Sequence, residues 1–299
     1  ITAMAAAALL RQTGTTPAAQ MPVVGKSLDA LAKLAKPDGG IYQDVIPHYI
    51  TAVSVMALVA GGRAQDKPLI VKGRQYLAEH LLDEGEGLSP KDKLYGGIGY
   101  GGAGGTMSAD VISLEYGLRA MKEAGLADND PAWQKAIQFL QRTQNNSETN
   151  DQSWASNDGG FIYYPGNSQV RDTTNSYGSG SYAGLMSYSW ANVKKTDQRV
   201  QSVLKWLRAN YTLEENPGIG DKAIYYYYMV MAKALQASGE GIIVDAKGQR
   251  HNWREELARK LIALQHDEGY WVNTNKAEMQ DNKVLVTSFT LMAMQAVLQ

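Results

Sequence analysis

The segment Gly220 to Gly239, GDKAIYYYYMVMAKALQASG, constrains the fold more than any other. Four consecutive tyrosines on a helix turn through most of a circle at about 100° per residue, so no single apolar stripe can bury them. A helix carrying them must be surrounded by protein. The same demand recurs along the chain. Stretches apolar almost all round, HYITAVSVMALVAGG, ADVISLEYGLRAMKEAG, GSYAGLMSYSWANV and VTSFTLMAMQAVLQ, alternate with amphipathic ones such as PAWQKAIQFLQRTQ and WREELARKLIALQ. Between them stand glycine-rich turns with an aromatic or branched residue: PDGGIY (Pro37 to Tyr42), YGGIGY (Tyr95 to Tyr100), NDGGFIYY (Asn157 to Tyr164), NPGIGD (Asn216 to Asp221) and DEGYW (Asp267 to Trp271).

An all-α fold of two concentric layers follows, about six inner helices against five to six outer ones, built from repeated helix pairs. Asp130 and Pro131 suit a cap and a first helical position, and Gly125 and Gly239 suit stops. The opening ITAMAAAALLRQTG fits the end of an apolar inner helix, so residues 1–299 are expected to form a single domain cut within its first repeat.

Composition narrows the function. A formal net charge of -1 gives no electrostatic footprint for nucleic acid, and no apolar run approaches the roughly 18 residues of a membrane helix. With no cysteine there are no disulfides, thiolate nucleophiles or thiolate metal sites. The aromatic balance, 17 Tyr and 6 Trp against 3 Phe, favours a cavity with polar edges over a plain hydrocarbon core.

The repeats carry a resemblance. LARKLIALQHDEGYW, with Gln265, Gly269 and Trp271, resembles the Gln-Trp motif of squalene and oxidosqualene cyclases. FLQRTQ followed by DGGF is similar to a second copy with a polar insertion. The turns and inner helices also resemble the β subunits of protein prenyltransferases. Tyr177 to Leu185 and Glu215 to Tyr228 resemble bacterial prenyltransferase/squalene oxidase repeat proteins. The resemblance implies an α/α toroid, a hydrophobic or amphiphilic ligand of isoprenoid type, and an exported bacterial protein. It implies no particular reaction.

The chemistry of the relatives is not written in these residues. Class II cyclisation uses a D-x-D-D acid, which is absent; DND at Asp128 to Asp130 reads as a helix cap. Zinc prenyl transfer needs Asp and Cys where Tyr177 and Ser179 stand, and His48, His80, His251 and His266 lack metal spacing, so no metal is expected. Gly97, Gly99 and Gly102 match G-x-G-x-x-G, but after a polar loop rather than a strand, so no nucleotide cofactor is expected either.

What remains lies near the starts of the inner helices. Asp44, Asp110, Asp172 and Asp221 are the candidate catalytic carboxylates, each with a cap or turn bond as the plain alternative. Tyr177, Tyr182, Tyr225, Tyr226, Tyr227 and His48 are the candidate ligand contacts, with packing between layers as theirs. Three functions fit: a cavity for an amphiphilic, possibly isoprenoid, ligand; a carbohydrate-active toroid whose carboxylates would face one another across about 5 to 9 Å; or a protein-interaction scaffold.

Overall fold

The structure, a computed structural model, describes residues 1–12, 21–101 and 108–299. Gly14, at the end of the opening apolar stretch, and Gly102, of the G-x-G-x-x-G match, lie outside the described residues. The described chain contains eleven α-helices and one two-residue strand pair. Two compact units divide it, residues 1–140 with 190–192, and residues 141–189 with 193–299.

In the first unit, α1 (Thr2–Leu10), α3 (Pro47–Gly61) and α5 (Val111–Glu123) lie side by side. The amphipathic α2 (Pro22–Ala32) packs on α1 and α3, and α4 (Lys67–Glu79) on α3 and α5. Burial follows the sequence pattern. Every residue of α3 from Thr51 to Leu58 is buried, whereas α2 buries only Val24, Leu28 and Leu31, one stripe at helical spacing. Helix α6 (Pro131–Thr143) begins in this unit and ends in the other; Asp130 caps it by accepting the Ala132 N–H at 2.9 Å.

The second unit repeats the contrast. All of α7 (Gly178–Trp190) from Gly178 to Tyr188 is buried, as is α9 (Ile224–Ala237) from Ile224 to Ala232. By contrast α10 (Trp253–Ala263) buries Trp253, Leu257 and Leu261, spaced by four. Helix α8 (Gln198–Ala209) is started by the Asp197 side chain, and α11 (Lys283–Leu298) by that of Asn282. α11 packs along α9, with α10 against it, and the hairpin β1 (Ile243–Val244) with β2 (Arg250–His251) leads into α10.

Two contacts recur at the turns. A hydroxyl in the first half of an apolar helix accepts the N–H of the turn residue after the glycines: Thr51 from Ile41 at 2.9 Å, Ser181 from Phe161 at 3.0 Å, and Thr287 from Trp271 at 3.2 Å. The turn also lies against the backbone of the next amphipathic helix, which leaves no room for a Cβ. A β-carbon on Gly39 would come within 2.6 Å of the Lys72 carbonyl oxygen, and one on Gly159 within 2.5 Å of that of Ser202. Gly96 meets Lys135 in the same way, and all three have positive φ, so the chain demands glycine there twice over.

Candidate functional site

The start of α9 carries four of the ten residues selected from the sequence: Asp221, Tyr225, Tyr226 and Tyr227. Its cap, Ala223, sits in the left-handed region at φ 55° and offers no side-chain acceptor. The Ile224 N–H reaches the Asp221 carbonyl at 3.3 Å, and the Tyr225 N–H reaches Oε1 of Gln280 at 3.2 Å.

The four tyrosines then divide. Tyr227 and Tyr228 donate their hydroxyls to the carbonyls of Thr212 and Leu213, at 2.8 and 2.7 Å, which pins α9 to the segment after α8. Tyr226 meets Phe289 of α11 edge to face at 5.9 Å, and Tyr225 meets Tyr228 likewise at 5.9 Å. Tyr182 of α7 lies 5.7 Å from the Tyr227 ring.

Tyr177, Tyr182 and Tyr227 are at most 2% exposed, so protein covers their surfaces. Burial pushes the Tyr182, Tyr225 and Tyr227 hydroxyls well up or up from the ordinary phenol range, which keeps them neutral. At neutral pH their rings are packing surfaces, and the Tyr227 hydroxyl is a hydrogen-bond donor.

Above this aromatic layer is a polar rim. Asn275 Nδ2 donates to Asp221 Oδ1 at 2.8 Å, and Asn273 Nδ2 to the Asp221 carbonyl at 2.9 Å. Lys222 Nζ donates to Gln169 Oε1 at 2.7 Å and stands 3.5 Å from the Glu278 carboxylate. Three loops therefore converge where α9 begins. They also concentrate left-handed residues other than glycine: Asp172, Ala223, Glu278 and Met279. Backbone of this kind persists only where its surroundings hold it.

The other selected residues are dispersed. Asp110 caps α5: its Oδ1 accepts the N–H groups of Ile112 and Ser113 at 3.0 and 2.8 Å, and its Oδ2 the Ser113 hydroxyl at 2.7 Å. Asp44 is exposed on the turn before α3, and Asp172 is exposed on the loop before α7.

His48 lies in the first unit, where its Nδ1 must carry the proton because it faces the Gly99 carbonyl at 3.2 Å. Its ring is 4.9 Å from that of His80 and 5.8 Å from that of Tyr76. Burial, helped by His80, lowers the His48 pKa to about 4. Among the described residues no group of three or more His, Asp and Glu side chains is arranged to hold a metal.

Sequence reasoning missed the groups that close this region. Asn216 accepts the Ser179 N–H on Oδ1 at 2.8 Å and donates from Nδ2 to the Ser179 hydroxyl and the Lys222 carbonyl. It thereby ties the start of α7 to the approach to α9. A second cluster joins Tyr211, whose hydroxyl donates to Glu256 at 2.9 Å, with His251, which faces Glu256 at 3.1 Å and Asp245 at 3.5 Å. The Gln249 and Lys247 N–H groups, with His251, hold the Asp245 carboxyl below its ordinary range. Each set depends on one long-range contact, Asn216 to Ser179 across 37 residues and Tyr211 to Glu256 across 45.

No family model and no curated protein matches the chain. Solved structures do. The type II terpene cyclase MstE from Scytonema, in complex with its product merosterolic acid A, superposes with a TM-score of 0.58 at 12% identity, over 99% of this chain and 86% of that one. The fold is an α/α toroid. A polysaccharide lyase matches with a TM-score of 0.57 at 11% identity, over 99% and 89% of the two chains. A family 88 glycosyl hydrolase from Bacteroides vulgatus matches with a TM-score of 0.56 at 10% identity, over 99% and 90%. At these identities the likeness carries the architecture alone, and the three toroids act on different chemistry.

Proposed function

We propose that this toroid binds an amphiphilic small molecule at the start of α9, with its apolar part against Tyr225, Tyr226 and Phe289 and its polar end at the rim. The observation that carries the reading is the change of chemistry over a few residues. Asp221 and Lys222, with Asn273, Asn275 and Gln169, form a rim of polar groups. Only three residues on, the chain turns to aromatic side chains facing α11. A ligand with one wet and one dry end matches that gradient.

The resemblance of the repeats to terpenoid cyclases and prenyltransferases supports an isoprenoid as the dry end, and the fold shared with MstE, solved with merosterolic acid A, agrees with it. The D-x-D-D acid of class II cyclisation is missing from the sequence, and Asp110 is engaged as a helix cap, so binding rather than cyclisation is the function proposed.

Organic extraction and mass spectrometry of the purified protein test this. A stoichiometric isoprenoid or related lipid in the wild type, lost from a Tyr225→Ala, Tyr226→Ala double variant, is the expected result. An extract free of lipid, together with no stabilisation by any added isoprenoid, would overturn it.

A carbohydrate ligand is the second reading. It is favoured by the amide-rich rim, where Asn273, Asn275 and Asp221 present paired donors and acceptors of the kind that meet vicinal hydroxyls. Release of reducing ends or unsaturated products from a polysaccharide panel, abolished by Asp221→Asn, would move the assignment there.

A further inference from the structure

The side chain of Gln280 has no exposure, and its amide is left half used. Oε1 accepts the Tyr225 N–H at 3.2 Å and Asn273 Nδ2 at 3.4 Å. Those two donors fix the orientation of the amide, because turning it over would set an NH2 against an N–H. Nε2 is therefore a pair of buried donors, and no partner meets it. A buried donor without an acceptor is costly and calls for an explanation.

Its surroundings are also donor-rich. α9 begins without a side-chain cap and with no acidic residue in its first turn, so the positive end of its dipole is uncompensated from within the helix. Lys222 stands just before it. The two nearby carboxylates are already engaged, Asp221 by Asn275 and Glu278 by Lys222 at a loose 3.5 Å.

We propose that the start of α9 is the headgroup subsite for the ligand, and that it takes an anionic oxygen, carboxylate or phosphate ester, on the Gln280 amide. The inference rests on the amphiphile reading above and names the polar end. An anion suits the Gln280 amide because its unfilled buried Nε2 is donor-only, and a carboxylate or phosphate oxygen is a stronger acceptor than a hydroxyl. A carboxylate or phosphate oxygen accepts from several donors at once, and it gains from the helix end and from Lys222 as Glu278 gives way. The wall that must yield is the 3-10 turn Ala277–Met279, which leads directly into Gln280. Its Glu278 and Met279 have φ of 55° and 58°, and both are exposed. Relaxing two left-handed residues would offset part of the work of opening.

Three probes with one hydrocarbon chain, farnesoic acid, farnesyl phosphate and farnesol, titrated by calorimetry into the full chain, test the inference. The acid and the phosphate should bind at least about tenfold more tightly than the alcohol, the scale of one hydrogen bond to a charged group. The ratio of acid to phosphate tells which source the site prefers. Gln280→Glu keeps the acceptor for Tyr225 and removes the donors. It should abolish the preference for the acid and the phosphate over the alcohol. Lys222→Met should reduce the preference several-fold without touching Gln280.

Equal binding of all three probes by the wild type would overturn the headgroup assignment and leave the amphiphile reading standing. A preference that survives Gln280→Glu would do the same. Binding of none would overturn both.

Discussion

Replacing Gln144 with leucine should cost about 4 kcal/mol, and the figure can be assembled from its contacts. Gln144 is fully buried at the end of α6. Its Nε2 donates to the Gly159 carbonyl at 2.9 Å and to that of Arg199 at 2.8 Å, and its Oε1 accepts the Tyr188 hydroxyl at 2.9 Å. One side chain thus joins the glycine turn, the start of α8 and the wall of α7. Leucine has a similar volume and no polar atom, so the buried Gly159 carbonyl and Tyr188 hydroxyl lose a partner at about 2 kcal/mol each and the part-buried Arg199 carbonyl loses one at about 1 kcal/mol, offset by roughly 1 kcal/mol of gained apolar burial. Tyr188→Phe removes one bond and leaves only Gln144 Oε1 open, about 1.5 kcal/mol. Because that bond is already absent in Gln144→Leu, the double variant should cost about 1 kcal/mol less than the sum of the two. Urea unfolding of the four proteins measures this. A single-variant cost under about 1 kcal/mol, or costs that add within roughly 0.5 kcal/mol, would refute the view that Gln144 works as one three-way tie.

Gly96→Ala should be far more damaging than Gly87→Ala. Both glycines have φ near 80°, but a β-carbon at 96 overlaps the Lys135 backbone whereas the space around 87 is open. About 1–2 kcal/mol for position 87 and more than about 3 kcal/mol for position 96 are expected in thermal or urea melts. Asp110→Ala should cost about 1–2 kcal/mol through loss of the α5 cap, while Asp110→Asn, which keeps the acceptor, should recover most of it. His48 should make stability depend on pH. Its folded pKa of about 4 lies below the ordinary 6.5, so between those values the unfolded chain holds a proton that the folded chain does not. The His48 contribution is complete above pH 6.5 and is lost as the pH falls toward 4, by about 2 kcal/mol after allowing for partial exposure. Unfolding midpoints from pH 4 to 7 should show this slope, and His48→Gln should flatten it.

The fold was legible wherever one residue type admits one local answer. Glycine turns set the breaks; Gly125 and Gly239 end their helices with φ of 76° and 69°; and the unbroken apolar stretch Ile224 to Ala232 is buried throughout. The four tyrosines do pack on more than one side of α9, as the geometry of a helix requires. Their partners were not legible, because the carbonyls of Thr212 and Leu213 have no side-chain signature. The same holds at the site. Asp221 and Lys222 are conspicuous beside a tyrosine run. Gln280 and Asn216 are ordinary amides in polar loops, and Gln280 acquires its role from Tyr225, 55 residues earlier in the chain. Carboxylates drew attention through their chemistry, yet Asp110 is spent on its own helix, and Asp44 and Asp172 stand exposed on loops. A capping bond and a catalytic role look alike until the third dimension supplies the partner.

The central claim is the place of binding, and hydrogen–deuterium exchange of the full chain with and without saturating farnesoic acid tests it most directly. The account predicts slowed exchange in residues 221–229 and 273–290, centred on Tyr225, Tyr226 and Gln280, with the first unit unchanged. Protection confined to the region of His48 and His80, or saturable binding with no change at the start of α9, would contradict it.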